Sequence, residues 1–311
     1  MTQGAVRSLI VTGVNGFVGR HVAEEAAKRG YLVHGIARTD DFGPRLRTVA
    51  SSLHHVDLRD EWPEGVNGHT LIHLAGRAAV GPSFAHPQQY ISDNSAIMTT
   101  IGEQALRGAV SGRMLVVSTG AVYAAEGNQP ITEDAPLLAS SPYAVSKILV
   151  ERQAEYYRRR GLDTVVARPF NHIGPGQGLG FLVPDLYAQV KSLSADAPLL
   201  AGNLTTRRDY TDVRDIARAY LDIIEVPSLK SDVYNVASSR SHSGEDILRM
   251  ICDAAGYPMP RIEQDPARFR PGDSPEIVGS GMSIASEIGW KPEIEIDSSI
   301  ADFVRGMELT G

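Results

Sequence analysis

Tyr143 and Lys147 stand one helical turn apart in Ser141-Pro142-Tyr143-Ala144-Val145-Ser146-Lys147. On a helix that spacing puts both side chains on one face. A phenol beside an ammonium is a proton-transfer device, because the positive charge favours phenolate and is expected to draw the tyrosine pKa toward neutrality. Such a phenol gives a proton to a carbonyl oxygen, or takes one from a hydroxyl, while hydride moves at the carbon. The pair alone is common by chance on a protein surface. A second piece lies at the end of a β-rich run, in Val117-Ser118-Thr119-Gly120-Ala121-Val122-Tyr123. A hydroxyl there can bond the same reacting oxygen, although a strand-end Ser or Thr can equally satisfy backbone. Thr119, Tyr143 and Lys147 are the expected catalytic residues.

A third signal is Thr12-Gly13-Val14-Asn15-Gly16-Phe17-Val18-Gly19, between an apolar run and a helical one. Gly13 permits a tight turn, Gly16 lets backbone approach a pyrophosphate, and Gly19 lets the helix pack close to the sheet. The helix N-terminus offers unpaired N–H groups to phosphate. Gly13, Asn15, Gly16, Phe17, Val18 and Gly19 are therefore expected at a dinucleotide. The spacing is G-x-x-G-x-x-G, and only its strand–turn–helix context raises it above three stray glycines. At the end of the second β-rich run, an acidic residue would bind the ribose hydroxyls of NAD. Arg38 stands there instead and suits the 2′-phosphate of NADP. NADP(H) is the preferred cofactor; NAD(H) stays possible, with Asp40 and Asp41 close by. Asp57 and Leu58 are placed at the adenine edge, and the small stretch Leu74-Ala75-Gly76 beside the cofactor. Ser118, Tyr143 and Lys147 are expected to touch it as well.

These groups need a frame. Short apolar runs at 8–12, 32–37, 53–56, 70–74, 114–118 and 164–167 alternate with helical stretches at 17–29, 87–109 and 142–160. That alternation predicts right-handed βαβ units and a parallel, doubly wound α/β sheet. After Arg168 the turn-rich run Asn171 to Gly178 changes the pattern; 212–225 reads as a helix and 232–236 as one more strand. The rest is expected to form a smaller lobe over the carboxyl ends of the strands, where ligands of such sheets bind.

Composition narrows the field. The 311 residues carry a formal charge of -7 and no long basic run, which argues against nucleic acid as a partner. Cys252 is the only cysteine, so no intrachain disulfide forms. Met1 to Arg7 lacks the layout of a signal peptide, and no apolar run is long enough to suggest a membrane span. A cytoplasmic location is expected. No metal site is expected.

In chain order, Gly13–Gly19, His73–Gly76, Ser118-Thr119, Tyr143–Lys147, Arg168–Gln177, Arg208–Asp215 and Tyr234–Val236 resemble the extended short-chain dehydrogenase/reductase family, in its nucleotide-sugar branch. The likeness covers nearly the whole chain. The strings 167–177, 264–268 and 289–294 are similar to the subgroup of GDP-4-keto-6-deoxy-D-mannose reductases. The resemblance implies a Rossmann domain over 1–168, also receiving about 212–238, and a nucleotide-sugar-binding lobe from 169–211 and 239–311. It implies that Asn171 lies near the sugar diphosphate and that Arg208 and Arg270 contact the nucleotide diphosphate, where guanidinium forks suit phosphate. The plain reading of each arginine is a surface ion pair. Val80 and Ser83 are placed near the sugar. A homodimer through the helices near 87–109 and 142–160 is also implied.

Three reactions use this scaffold. The resemblance implies that a 4,6-dehydratase carries acidic side chains directly after the catalytic threonine. Gly120 and Ala121 stand there and move no proton. A 4-epimerase oxidises and re-reduces one carbon with tightly held NAD, which Arg38 does not favour. Reduction of the C4 ketone of a nucleotide-linked 4-keto-6-deoxyhexose is the leading expectation, on a GDP- or dTDP-sugar. Nucleotide-sugar 4-epimerisation is the alternative, and a non-catalytic dinucleotide sensor stands third.

Overall fold

The protein is described here by a computed structural model covering residues 7–124, 129–194, 197–268 and 274–310. In chain order, β1 (Ser8–Thr12), α1 (Phe17–Lys28), β2 (Leu32–Ala37), α2 (Gly43–Val49), β3 (Ser52–His55), β4 (Thr70–His73), α3 (Val80–Ala85) and α4 (Pro87–Gln104) come first. They are followed by β5 (Met114–Val117), α5 (Pro142–Arg159), β6 (Thr164–Pro169), β7 (Asn171–Ile173), α6 (Leu182–Ser192), β8 (Leu199–Ala201), β9 (Arg207–Asp212) and α7 (Val213–Glu225). The remainder is β10 (Val233–Val236), β11 (Ser241–Ser243), α8 (Gly244–Ala255), β12 (Ile262–Gln264), β13 (Glu276–Ile277), α9 (Met282–Ile288) and α10 (Ile296–Thr310).

The main sheet has seven strands in the order β10-β6-β5-β4-β1-β2-β3. Every pairing in it is parallel. It is a doubly wound sheet of the Rossmann type. Such strands are covered on both faces, which explains why Leu9, Ile10 and Val11 are wholly buried rather than alternating. One face packs on α1 and α7 through Val22, Ala26, Ile216 and Tyr220. The other packs on α4 and α5 through Ile97, Met98, Ile101, Val150 and Tyr157. The strand order reverses between β1 and β4, whose carboxyl ends are Thr12 and His73. This is the crevice where ligands of open α/β sheets lie.

The second half builds its own core. Tyr187 of α6, Ile247, Leu248 and Ile251 of α8 and Phe303 of α10 pack together with Tyr210 of β9. Beside them lies a four-stranded sheet in which β9 pairs with β7, β11 and β13. The loop after β7 reaches back onto α1. Arg20 Nη2 donates to Gly176 O at 3.2 Å, and His21 Nε2 lies 2.9 Å from Pro175 O.

Strands β1 and β2 match the expected bounds. The expected fourth and fifth strands each run one residue too far. Leu74 N–H still reaches Thr12 O at 3.2 Å, but it and Ala75 N–H also converge on Thr12 Oγ1 at 3.2 Å, where the chain turns out of the sheet. The expected helix over 87–109 stops at Gln104 and continues as a π-helical stretch, Ala105–Ala109, in which Gly108 takes φ 97°. Helices α2, α3, α6 and α8–α10 were not anticipated, and neither were β7–β9 and β11–β13. The strands, α2, α3 and α9 are segments of two to seven residues with little periodicity to read, whereas α6, α8 and α10 fall in the stretch expected only to form a smaller lobe.

Candidate active site

The carboxyl ends of β1, β4 and β5 and the start of α5 form the site. Gly13 turns the chain at φ +70°, and a Cβ there would sit 2.9 Å from Ala75 N. A Cβ on Gly19 would lie 2.2 Å from Gly13 O. Gly19 therefore lets the helix close on its own turn, a tighter requirement than the helix–sheet packing expected of it. Gly16 is exposed and precedes Phe17 as the N-cap of α1, and no side chain caps that helix. Its first amide groups and its positive dipole end face the crevice uncapped, the arrangement that holds phosphate. Asn15 Nδ2 donates to Thr39 Oγ1 at 2.8 Å, tying the turn to the chain beyond β2.

Thr12 Oγ1 receives the Leu74 and Ala75 N–H groups and stands 2.9 Å from His73 Nδ1. With both backbone donors aimed at its oxygen, the hydroxyl proton is left for Nδ1. Burial pushes the His73 pKa down to about 3, and the Lys147 charge adds to this. A neutral imidazole thus locks β1 to β4. Gly76 follows at φ +144°, where a Cβ would meet Asn94 Oδ1 at 2.8 Å.

Pro142 and the N-cap Ser141, whose Oγ accepts from Ala144 N at 3.1 Å, start α5. Tyr143 is 7% and Lys147 8% exposed on the buried face of that helix. The Tyr143 phenol lies beside the hydroxyl of Thr119, which follows β5 in extended conformation and accepts from Ala121 N at 3.2 Å. Lys147 Nζ donates to Val117 O at 2.9 Å. The structure thus brings the three expected catalytic residues together. The expected drop in the tyrosine pKa is not found. Burial pushes Tyr143 up to about 12, partly offset by the neighbouring Thr119 hydroxyl. Lys147 is itself pushed down to about 8 by burial, against the Glu151 charge. For the phenol, desolvation outweighs the neighbours that would lower its pKa.

The crevice fits a dinucleotide. The uncapped start of α1 faces it, and Ser118 Oγ is buried without any hydrogen-bond partner. Arg38 is exposed at the end of β2, and its guanidinium makes no hydrogen bond or ion pair among the described residues. Asp57 is held well below the usual carboxylate range, first by hydrogen bonds from Arg59. Arg59 Nε and Nη2 reach its two oxygens at 2.9 Å and 2.5 Å. Leu58 is buried beneath it. Among the described residues no cluster of His, Cys, Asp and Glu could hold a metal, and no helix is long and apolar enough to cross a membrane.

On the lobe side, Asn171 Nδ2 donates to Asp209 O at 3.3 Å, which places it beside Arg208 on β9. Arg208 Nη1 donates to Arg207 O at 2.6 Å. Val80 opens α3 half-buried. Ser83 is fully buried, and its Oγ donates to Val80 O at 2.6 Å within the same short helix. Arg270 lies outside the described residues.

Sequence reasoning passed over several residues that build this site. Asn94 Nδ2 donates to Ser146 Oγ at 2.9 Å, and Ser146 Oγ donates to Tyr143 O at 2.7 Å. Asp209, wholly buried, accepts from Ser238 N and Oγ at 2.9 and 2.7 Å and from Ser239 N at 2.9 Å. Those bonds hold Ser239 at φ 60°, a conformation that costs a non-glycine residue about 1 kcal/mol. Burial pushes the Asp209 pKa up to about 6 despite these donors. Only the i, i+4 spacing of Tyr90 and Asn94 offered a signal, and it does not differ from that of an ordinary core helix.

The model of the NAD dependent epimerase/dehydratase family matches residues 9–237. GDP-6-deoxy-D-mannose reductase of Pseudomonas aeruginosa is 33% identical over 303 residues, covering 94% of each chain. UDP-glucose 4-epimerase of Azospirillum brasilense is 28% identical, over 92% of this chain and 87% of that protein. Among solved structures, RMD from Pseudomonas aeruginosa complexed with NADPH superposes with a TM-score of 0.82 at 30% identity, over 98% of this chain and 100% of the other. UDP-glucose 4-epimerase from Thermotoga maritima with UDP-glucose superposes with a TM-score of 0.86 at 23% identity, over 97% and 99%.

Proposed function

The chain belongs to the NAD dependent epimerase/dehydratase family, and we propose that it uses NADPH to reduce the C4 ketone of a nucleotide-linked 4-keto-6-deoxyhexose, a GDP- or dTDP-sugar. The observation that carries this reading is the convergence of the Thr119 hydroxyl, at the carboxyl end of β5, on the Tyr143 phenol, with Lys147 one turn along the same helix. Oxidoreductase chemistry of the extended short-chain type follows from that set. The reductase direction rests on Arg38, an unpaired cation where an NAD enzyme would place a carboxylate, and on the 33% identity to a GDP-6-deoxy-D-mannose reductase.

Gly13, Asn15, Gly16, Phe17, Val18 and Gly19 would hold the pyrophosphate, and Arg38 the 2′-phosphate. Asp57 and Leu58 would flank the adenine, with Leu74, Ala75, Gly76 and Ser118 along the nicotinamide half. The chemistry supplied by a bound nicotinamide is hydride donation to C4. Tyr143 donates the phenolic proton to the C4 oxygen, and Thr119 holds that oxygen by its hydroxyl. Lys147 supplies the positive charge that stabilises the phenolate left behind. The buried positions of Tyr143 and Lys147 keep water from the proton path. Residues 169–211 and 239–311 would make up the sugar-nucleotide lobe; Asn171, Arg208 and Arg270 would contact the diphosphate and Val80 the sugar. A homodimer through α4 and α5 belongs to the same reading.

Steady oxidation of NADPH with a 4-keto-6-deoxy sugar nucleotide is expected. Redox-neutral interconversion of 4-epimers with retained NAD would instead make the protein an epimerase. Cofactor binding without turnover on any such sugar would make it a sensor.

A further inference from the structure

Tyr143 is gripped from its ring side as well as from its backbone. Tyr90, on α4, is 4% exposed, and its ring meets that of Tyr143 edge-on, with centroids 6.4 Å apart and an interplanar angle of 88°. Edge-to-face pairs at this separation are attractive and resist rotation of either ring. Tyr90 is pinned in turn: the Arg77 guanidinium lies 5.7 Å from its centroid, a cation over an aromatic face. Arg77 Nε donates to Asp93 Oδ2 at 2.7 Å, and Arg59 Nη1 reaches the other oxygen of Asp93 at 3.2 Å. The Arg77 backbone is fixed too, donating to Asn94 Oδ1 at 2.8 Å and accepting from Asn94 Nδ2 at 3.2 Å. Asn94 then reaches Ser146, and Ser146 reaches the Tyr143 carbonyl. The loop after β4 and helix α4 therefore hold Tyr143 at both ends, while Lys147, which bonds Val117 O, leaves the ring alone.

We propose that Tyr90, braced by Arg77, is a positioning residue for Tyr143: its ring, and not its hydroxyl, fixes the phenol in the attitude from which it protonates the sugar oxygen. This rests on the reading of Tyr143 as proton donor. A tyrosine side chain otherwise turns about two bonds, and a displacement of about 1 Å at a reacting group costs on the order of 100-fold in rate. A Tyr90 that merely filled space would affect melting temperature and not the attitude of Tyr143.

The test uses the full chain with Tyr90→Leu, Tyr90→Phe and Arg77→Gln. NADPH oxidation with a 4-keto-6-deoxyhexose nucleotide gives kcat and KM. The ¹³Cζ tyrosine spectrum of the chain without ligands gives the environment of Tyr143, its signal assigned by Tyr143→Phe. Tyr90→Leu is expected to lower kcat roughly 10- to 100-fold, to change KM for the sugar by no more than about 2-fold, and to shift or broaden the Tyr143 signal. Tyr90→Phe should keep both kcat and signal. Should Tyr90→Leu fail to fold, Arg77→Gln carries the test, with a smaller fall in kcat, unchanged KM and a moved Tyr143 signal. Wild-type kcat with an unmoved signal in either variant overturns the proposal, as does a Tyr90→Phe loss equal to that of Tyr90→Leu. Full turnover by Tyr143→Phe would instead defeat the proton-donor reading, and the Tyr143 signal would still decide whether Tyr90 fixes that ring.

Discussion

Lys147 donates its ammonium to the carbonyl oxygen of Val117 across 2.9 Å, tying helix α5 to the last residue of β5. Burial holds its pKa near 8, and Glu151, one turn further along α5, opposes the fall. Above about pH 8 the folded chain therefore carries a neutral lysine behind Tyr143. We expect kcat/KM for the sugar to decline on the alkaline side with a limb near pH 8. Glu151→Gln should move that limb to lower pH, because a charge favouring ammonium is gone. Lys147→Arg, whatever its residual rate, should lack the limb. A limb unmoved in both variants would show that another group titrates. The stability sign is separate. Between pH 8 and the ordinary lysine value of 10.5 the unfolded chain binds more protons, so this group's share of stability rises with pH across that window.

Gly16 and Gly19 should part company. A Cβ on Gly16 meets only Gly13 O at 3.1 Å, whereas one on Gly19 meets the same atom at 2.2 Å. Gly16→Ala should melt within a few degrees of wild type and still lose NADPH affinity about 10-fold or more. Gly19→Ala should lose melting temperature outright. Fluorescence titration with NADPH beside thermal unfolding reads both. A Gly16→Ala chain with undiminished affinity would remove the phosphate from this turn.

Arg38 should set the cofactor. Its replacement by Asp removes a cation from the end of β2 and restores the carboxylate that suits ribose hydroxyls. Hydrogen bonds to charged groups are worth about 1.5–3 kcal/mol, so NADPH affinity should drop roughly 10- to 100-fold while that for NADH holds or improves. An unchanged ratio of the two dissociation constants places the 2′-phosphate elsewhere.

Arg168 and Glu151 form a forked pair, Nε–Oε1 at 3.0 Å and Nη2–Oε2 at 2.7 Å, with both residues under a tenth exposed. Arg168 Nη1 also donates to Tyr123 OH at 2.8 Å, which donates to Asn235 Oδ1 at 2.7 Å. Breaking one side of a buried pair costs about 3–5 kcal/mol, because the other charge is left uncompensated. Glu151→Ala should show that loss in urea unfolding, and Glu151→Ala with Arg168→Met should recover part of it. Additive losses in the double variant would mean the two charges are not coupled.

Much of the site was legible because its parts are local. The glycine turn is set by spacing within eight residues, and Tyr143 and Lys147 by one helical turn. What escaped notice depends on partners far along the chain. Ser83 looks like any loop hydroxyl until α3 forms around it and seals it. The tyrosine pKa was misjudged because proximity of Lys147 is readable from a helix, whereas the burial of the phenol, which dominates, is not.

By itself, the sequence determined the alternation of strands and helices, the glycine turn before α1, and the chemical identity of a hydroxyl, a phenol and an ammonium. Those follow from backbone propensity and side-chain type, which act over a few residues. Only the tertiary structure decided that the phenol is buried and held near pKa 12, that Tyr90 and Arg77 brace it, and that Asp209 anchors the loops of the second lobe. Desolvation and the matching of donors to acceptors depend on which distant segments come to rest together, and that is settled only when the chain packs.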